Sequence, residues 1–505
     1  MNEPVFMFSA RRHAVRFLVV VLFLHTVTSA QPPQSAPGPD GVHRVTPHDT
    51  LISRLARLAG SSTRITVESI GTTVQGRDMP MVHIRPVGAG AVTKVLLFCQ
   101  QHGNEPSGKE AALVLLDRIA AGASDTLISH LDLYVIPSVN PDGNESGKRA
   151  NANGADLNRD HLLLTQPEVR ALHAVFARVQ PEVTLDVHEF SAFRKEFRAA
   201  GYVQTTEEQF GAPSNLNVAP AIREYGLQRL FPFLQNALTK RGVRFSNYLR
   251  MQAPGDTVRY STTSIDDGRQ SFAILNTLSF IVEGRNGRDL NDGLDRRTAG
   301  QLAAIESFLE FVNRNNAEIR SLVRSERGGI ARATEPVVTQ MDYRYEGATI
   351  NVPVRTLSTN TDSVVSMAFA PIVKPLESVP RPAGYVIPRS QRAVRMFLDR
   401  HGVRYDTVAR AERRYVEIYT VVDVAGRWME NKPSTSVRTR KRTAEVSLAP
   451  GDLVVPLSQL QGTMLAIALE PSSMWGMVQE EPFAGLLLKG GDYPVYRIPA
   501  NKGPR

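Results

Sequence analysis

The sequence predicts an α/β domain built on a largely parallel or mixed sheet covered on both faces, followed by a smaller β-rich region. Three observations carry this expectation. From residue 46 to about 325, short apolar runs alternate with amphipathic stretches whose apolar residues recur at i, i+3 and i+4, the pattern of buried strands separated by covering helices. From about residue 335 apolar and polar residues alternate with period two, as half-exposed strands do. A length of 505 residues exceeds what one hydrophobic core organises, so two folded domains are expected, over residues 46–325 and 335–505.

In chain order, Arg11, Arg12 and Arg16 precede the apolar run 17–24, and Thr28, Ser29 and Ala30 offer small residues for cleavage. This predicts a signal peptide over 1–30, then a Pro- and Gln-rich linker over 31–45. The uncharged span 17–30 is shorter than the roughly 20 residues a bilayer needs, which favours export to the periplasm or the extracellular space over anchoring. No later segment is apolar enough to cross a membrane, so no stable span is expected after signal removal. Strands are expected at 94–99, 131–137, 181–187 and 278–282, and helices at 109–121, 166–179, 225–241 and 299–315. In the C-terminal region, strands are expected at 348–354, 414–422 and 444–448. A single clear helix, 390–401, ends before Gly402.

Hydrophobic residues make up 42% and charged residues 22% of the chain, ordinary values for a globular protein. The net charge of +9 is spread along the sequence, and its densest run, 438–442, reads as a solvated loop. That distribution argues against a nucleic-acid partner. Cys99 is the only cysteine, so no intrachain disulfide is possible. Its place in an apolar strand marks it as a buried structural thiol rather than a nucleophile.

The chemistry-bearing segment is 101–106, Gln-His-Gly-Asn-Glu-Pro, directly after the strand that ends at Cys99. A turn there exposes His102 and Glu105 at the carboxyl edge of the sheet, where α/β proteins place their ligands. Pro106 suits the first position of the following helix and fixes where Glu105 stands. A second apolar strand ends at His188. His, Glu and His with an open fourth position describe a catalytic zinc site, so one zinc ion per chain is expected. A third strand stops at Glu283, where a carboxylate can take a proton from water and hand it to a leaving amine.

Between these ligands runs a loop holding Asn140-Pro-Asp-Gly143, Arg149 and Gly154-Ala-Asp-Leu-Asn-Arg159. Arg159 with Asn158 suits bidentate capture of a free C-terminal carboxylate. Arg149 suits a developing oxyanion, and Asp156 suits a partner that orients a zinc histidine. Each of these side chains is equally suited to a local loop bond.

Taken in order, HxxE, NPDG, an arginine, GxDxNR, a strand-end histidine and a strand-end glutamate resemble the carboxypeptidase A/B-type zinc carboxypeptidases, over roughly residues 46–320. The resemblance implies a mixed eight-stranded sheet between helices and zinc bound by His102, Glu105 and His188. It further implies Glu283 as general base and acid, Arg149 at the oxyanion, Asn158 and Arg159 at the substrate carboxylate, and Asp156 supporting His102. The chain departs from the family in places. Asn104 stands where digestive members carry an arginine. Tyr260 is the best match to the mobile substrate-capping tyrosine by its distance ahead of Glu283. Residues 261–269 do not align with those enzymes; there Asp266 or Asp267 can select a basic terminal side chain or cap a turn. The C-terminal region resembles an extension on some bacterial members.

The expected activity is hydrolysis of a peptide or peptide-like amide at its C-terminal end. Peptidoglycan stem peptides and N-acyl amino acids are alternative substrates for the same zinc site. A metal-bearing binding protein without turnover is the alternative outside enzymology.

Overall fold

Apolar runs too short for helices build the central sheet. The structure, a computed structural model, describes residues 44–88, 90–429 and 432–500; the expected signal peptide and almost all of the linker lie outside them. The eight strands are β1 (Ile65–Thr72), β2 (Asp78–Ile84), β3 (Thr93–Cys99), β4 (Leu131–Ile136), β5 (Val183–Phe190), β6 (Glu208–Gly211), β7 (Phe245–Asn247) and β8 (Leu278–Arg285). Their spatial order is β1-β2-β4-β3-β5-β8-β6-β7. The four central strands run parallel, β1 and β2 extend them antiparallel, and β6 pairs antiparallel with β8. The sheet is therefore mixed and eight-stranded, as the resemblance implied.

Parallel strands read as continuous apolar runs because both faces are covered. Every residue of β5 is buried. Val187 faces the helix Ser107–Ala120, where a Cβ on Gly108 would lie 2.4 Å from Val187 Cγ1. Its neighbour Asp186 faces the short helix Gly268–Ala273, 2.8 Å from the Cβ position of Gly268. Successive strand residues point to opposite faces, so these two helices cover opposite sides. The expected helix 225–241 forms in pieces: Pro220–Tyr225, a π turn over Gly226–Leu230, and Phe231–Lys240. Pro232 has no N–H to give the ladder, and the chain widens just before it.

Three further sheets involve the C-terminal region. The strands Val337–Arg344 and Ile372–Val379 pair with each other. A four-stranded sheet orders Tyr202–Gln204, Thr349–Thr356, Thr361–Ala370 and Val258–Arg259, so strands from both regions share it. A six-stranded sheet contains the long hairpin Glu412–Met429 and Lys432–Leu448. The basic run 438–442 lies on that hairpin rather than in a loop, which corrects the sequence expectation. Its charges point to solvent while the backbone completes the ladder opposite 418–423. The helix Gly462–Ala468 escapes the sequence pattern because all seven of its residues are buried, leaving no polar face to give a period. Cys99 is buried. Among the described residues, no helix is long and apolar enough to cross a membrane.

Candidate active site

The parallel register of three neighbouring strands assembles the site. Cys99 of β3 pairs with Val187 of β5, and His188 of β5 pairs with Glu283 of β8. In-register neighbours on parallel strands project to the same face, so His188 and Glu283 stand side by side. Both strands run two residues past His188 and Glu283, to Phe190 and Arg285, beyond where the sequence expected them to stop. After β3 the chain turns sharply through Gln100, whose φ of 57° lies in the left-handed region. Its side chain holds that turn, donating to Gly103 O at 3.1 Å and Asn144 Oδ1 at 2.8 Å and accepting from Ser138 Oγ at 2.8 Å.

The NPDG segment proves to be a brace for this turn. Asn140 accepts from Gly143 N at 2.8 Å, capping the short helix Pro141–Ser146. Its Nδ2 donates to the carbonyls of Gln101 and Arg149 at 3.1 and 3.3 Å. Backbone meets backbone here: a Cβ on Gly103 would sit 2.0 Å from the carbonyl carbon of Gly143.

His102, Glu105 and His188 converge. His102 Nδ1 lies 2.9 Å from Glu105 Oε1 and 3.0 Å from His188 Nδ1, which lies 3.0 Å from Glu105 Oε2. The opposite ring nitrogens face carboxylates: His102 Nε2 is 3.1 Å from Asp156 Oδ1, and His188 Nε2 is 2.8 Å from Asp186 Oδ1. With Nε2–H donating to those carboxylates, each Nδ1 turns a lone pair inward. Two imidazole nitrogens and a carboxylate facing one point form a donor set that fits a zinc ion. The electrostatics agree. Burial works against charge on both Glu105 and His188. The two histidines nevertheless hold Glu105 well below the usual carboxylate range. Asp186 and Glu105 likewise raise the proton affinity of His188.

Around this cluster, burial pushes the Glu283 carboxyl up to about 7, His188 opposing the shift and Glu105 adding to it. Arg149 lies 3.3 Å from Glu105 Oε1 and binds Asp156 Oδ2 through Nε and Nη2 at 3.1 and 2.9 Å. Asp156 also caps the 3₁₀ turn Leu157–Arg159, accepting from Asn158 N at 3.0 Å. Asn158 commits its amide oxygen locally. Its Oδ1 accepts from Gly268 N at 2.8 Å, and its Nδ2 lies 3.2 Å from His188 Nε2. Arg159 is exposed; desolvation works against its charge, but Asp266, Asp156 and Asp267 hold that charge more firmly than usual. Asp267 caps the helix Gly268–Ala273 through Gln270 N. Tyr260 belongs to a separate hydrophobic cluster with Phe197 and Met251, its ring edge-on to Phe369 at 5.3 Å.

Sequence reasoning missed three contributors. Asp186 holds His188, and a charged residue inside an apolar strand two positions before a histidine was the available signal. Gln101 donates to both Asp186 oxygens at 3.0 and 2.9 Å and accepts from His161 Nε2 at 2.8 Å. Tyr248 follows β7 and interacts electrostatically with Glu283 and Arg159; burial and Glu283 push its phenol up to about 12. Only the sheet order brings it there, and no local motif marks it.

Sheet and donor set together define a zinc metallopeptidase. The zinc carboxypeptidase family model matches residues 51–171, a span holding His102, Glu105, Arg149, Asp156, Asn158 and Arg159. It is 25% identical over 482 residues to Carboxypeptidase 2 of Trichophyton rubrum, covering 91% of this chain and 88% of that protein. It is 33% identical over 116 residues to Carboxypeptidase E of Caenorhabditis elegans, covering 19% and 25%. Among solved structures, the metallo-carboxypeptidase from Burkholderia cenocepacia is similar with a TM-score of 0.41 at 18% identity, covering 53% of this chain and 69% of that one.

Proposed function

We propose that this protein is an exported carboxypeptidase that releases the last residue from peptides, or from peptide-like amides ending in a free carboxylate. The observation that carries this reading is the register of Glu283 with His188, which sets a carboxylate beside the inward-facing nitrogens. Export rests on the signal-like sequence of residues 1–30.

His102, Glu105 and His188 would hold the zinc ion, and Asp156 and Asp186 fix the two rings. When bound, zinc supplies Lewis acidity toward the scissile carbonyl and the attacking water. Glu283 takes a proton from that water on its carboxylate and passes it to the leaving amine nitrogen. A carboxyl balanced near neutrality by burial is suited to both transfers. Arg149 stabilises the negative charge that develops on the carbonyl oxygen. Arg159, its guanidinium backed by Asp266 and positioned beside Asn158, binds the terminal carboxylate. We assign the covering of the substrate to Tyr248, whose phenol feels the charges of Glu283 and Arg159, in place of Tyr260, which packs against Phe369.

The test is a digest of peptides differing in their last residue, followed by mass spectrometry. Zinc-loaded protein is expected to shorten them from the C-terminus, and Glu283→Gln to keep its zinc while losing activity by at least about a thousandfold. Equal activity of the variant would remove Glu283 from the mechanism. Release from muropeptides or N-acyl amino acids, without release from peptides, would reassign the substrate.

A further inference from the structure

The stretch 258–268 lies beside the proposed carboxylate-binding pair. Gly268 N donates to Asn158 Oδ1 at 2.8 Å, His161 N donates to Asp266 O at 3.2 Å, and Asp266 and Asp267 act on Arg159. Residues 261–268 are all buried, so this stretch forms a fixed wall rather than a free loop. From the sheet side, Ser214 and Asn215 hold the carbonyls of Thr262 and Thr263 at 2.7 Å each.

The other supports come from the C-terminal region. Tyr343 Oη donates to Ser261 O at 2.7 Å, and Trp475 Nε1 donates to Thr263 Oγ1 at 3.1 Å. Phe369 and Ala370 pair with Val258 and Arg259 as parallel strands. The stretch on the other side of Asn158 and Arg159 is fastened in the same way. His401 Nε2 meets Leu162 O at 2.7 Å, and Arg400 Nη1 donates to Leu163 O at 3.2 Å, just beyond Arg159. These contacts come from separate elements of residues 343–475, and they all fall on the two stretches flanking Asn158 and Arg159.

We propose that the C-terminal region is a positioning element of the active site, bracing the wall 258–268 against which the terminal residue of the substrate packs. It rests on the carboxypeptidase reading for the identity of the substrate, and on contacts alone for the brace. A brace lost from one wall lowers substrate affinity without touching zinc or the proton transfers, so the effect belongs in KM.

The experiment uses the full zinc-loaded chain carrying Tyr343→Phe with Trp475→Phe, and separately Thr263→Val, which removes one of the same bonds from the wall side at nearly constant volume. Kinetics on peptides differing in their last residue are expected to show KM raised about threefold to tenfold, with kcat and zinc content within about twofold. Hydrogen exchange is expected to quicken in 258–268 and to stay unchanged in 95–105 and 183–190. Unchanged KM together with unchanged exchange overturns the proposal, as does a parallel fall of kcat and zinc content, which would mark a general structural role. If the double variant does not fold, Thr263→Val decides on the same criteria. If the unsubstituted protein releases no terminal residue, the carboxypeptidase reading fails while the exchange comparison still decides the brace.

Discussion

His102 and His188 each commit one ring nitrogen to a carboxylate, and that commitment orients the other nitrogen inward. Asp186 is the more deeply placed partner, fully buried and held by the Gln101 amide nitrogen, which donates to both of its oxygens. Asp186→Asn keeps the shape but removes the charge that holds the His188 tautomer. Zinc affinity measured by chelator competition is expected to fall about 10- to 100-fold; an unchanged affinity would show that His188 needs no such partner. Gly103 makes a different demand. A methyl group there meets the Gly143 backbone at 2.0 Å, with no flexible side chain to yield. Gly103→Ala is expected to lower unfolding stability by at least about 1–3 kcal/mol in urea titrations, and to disturb the turn that carries His102.

At the scale of elements, what the sequence revealed depended on whether a segment has two distinct faces. The helix Pro167–Val179 buries Val169, Leu172, Val175, Phe176 and Val179, a stripe that can be read directly, and it forms within one residue of expectation. The helix Gly462–Ala468 has no exposed face and was unreadable. The strands after which the ligands stand were legible because parallel strands are apolar throughout. Their true ends were not, since His188 and Glu283 are polar residues continuing a ladder that hydrophobicity says should stop. HxxE, NPDG and GxDxNR were legible as a set, whereas Asp186, Gln101 and Tyr248 become visible only when strand order is known. One element contact also yields a test. The Cβ of Gly108→Ala would press on Val187 and lift the helix Ser107–Ala120 from β5. A cost of about 1–3 kcal/mol is expected, relieved in the double variant with Val187→Ala. Additive costs in that cycle would show that the two residues do not meet.

Across the whole molecule, one hydrophobic cluster extends from Leu51 to Val495, and the C-terminal region adds strands and hydrogen bonds to the catalytic half. His401 is one such link. Burial depresses its imidazole to about 4, so it stays neutral in the folded protein. The unfolded chain takes up that proton below its ordinary pKa near 6.5. The stability gained from a neutral His401 is therefore present above pH about 6.5 and lost as pH falls toward 4. His401→Gln can still donate to Leu162 O but has no proton to refuse. The variant is expected to be less stable than the parent at pH about 7.5, with the gap narrowing by up to about 1.4 kcal/mol per pH unit below 6.5. A gap independent of pH would mean that His401 titrates normally.

The central claim is that side chains from the β3 turn and β5 grip one cation in front of Glu283. Zinc content per chain, measured by elemental analysis after metal loading and desalting, tests it most directly. One zinc per chain is expected for the parent and for Glu283→Gln, and less than about a tenth of that for the double variant His102→Ala/His188→Ala. A metal-free parent, or a double variant that keeps its zinc, would contradict the account.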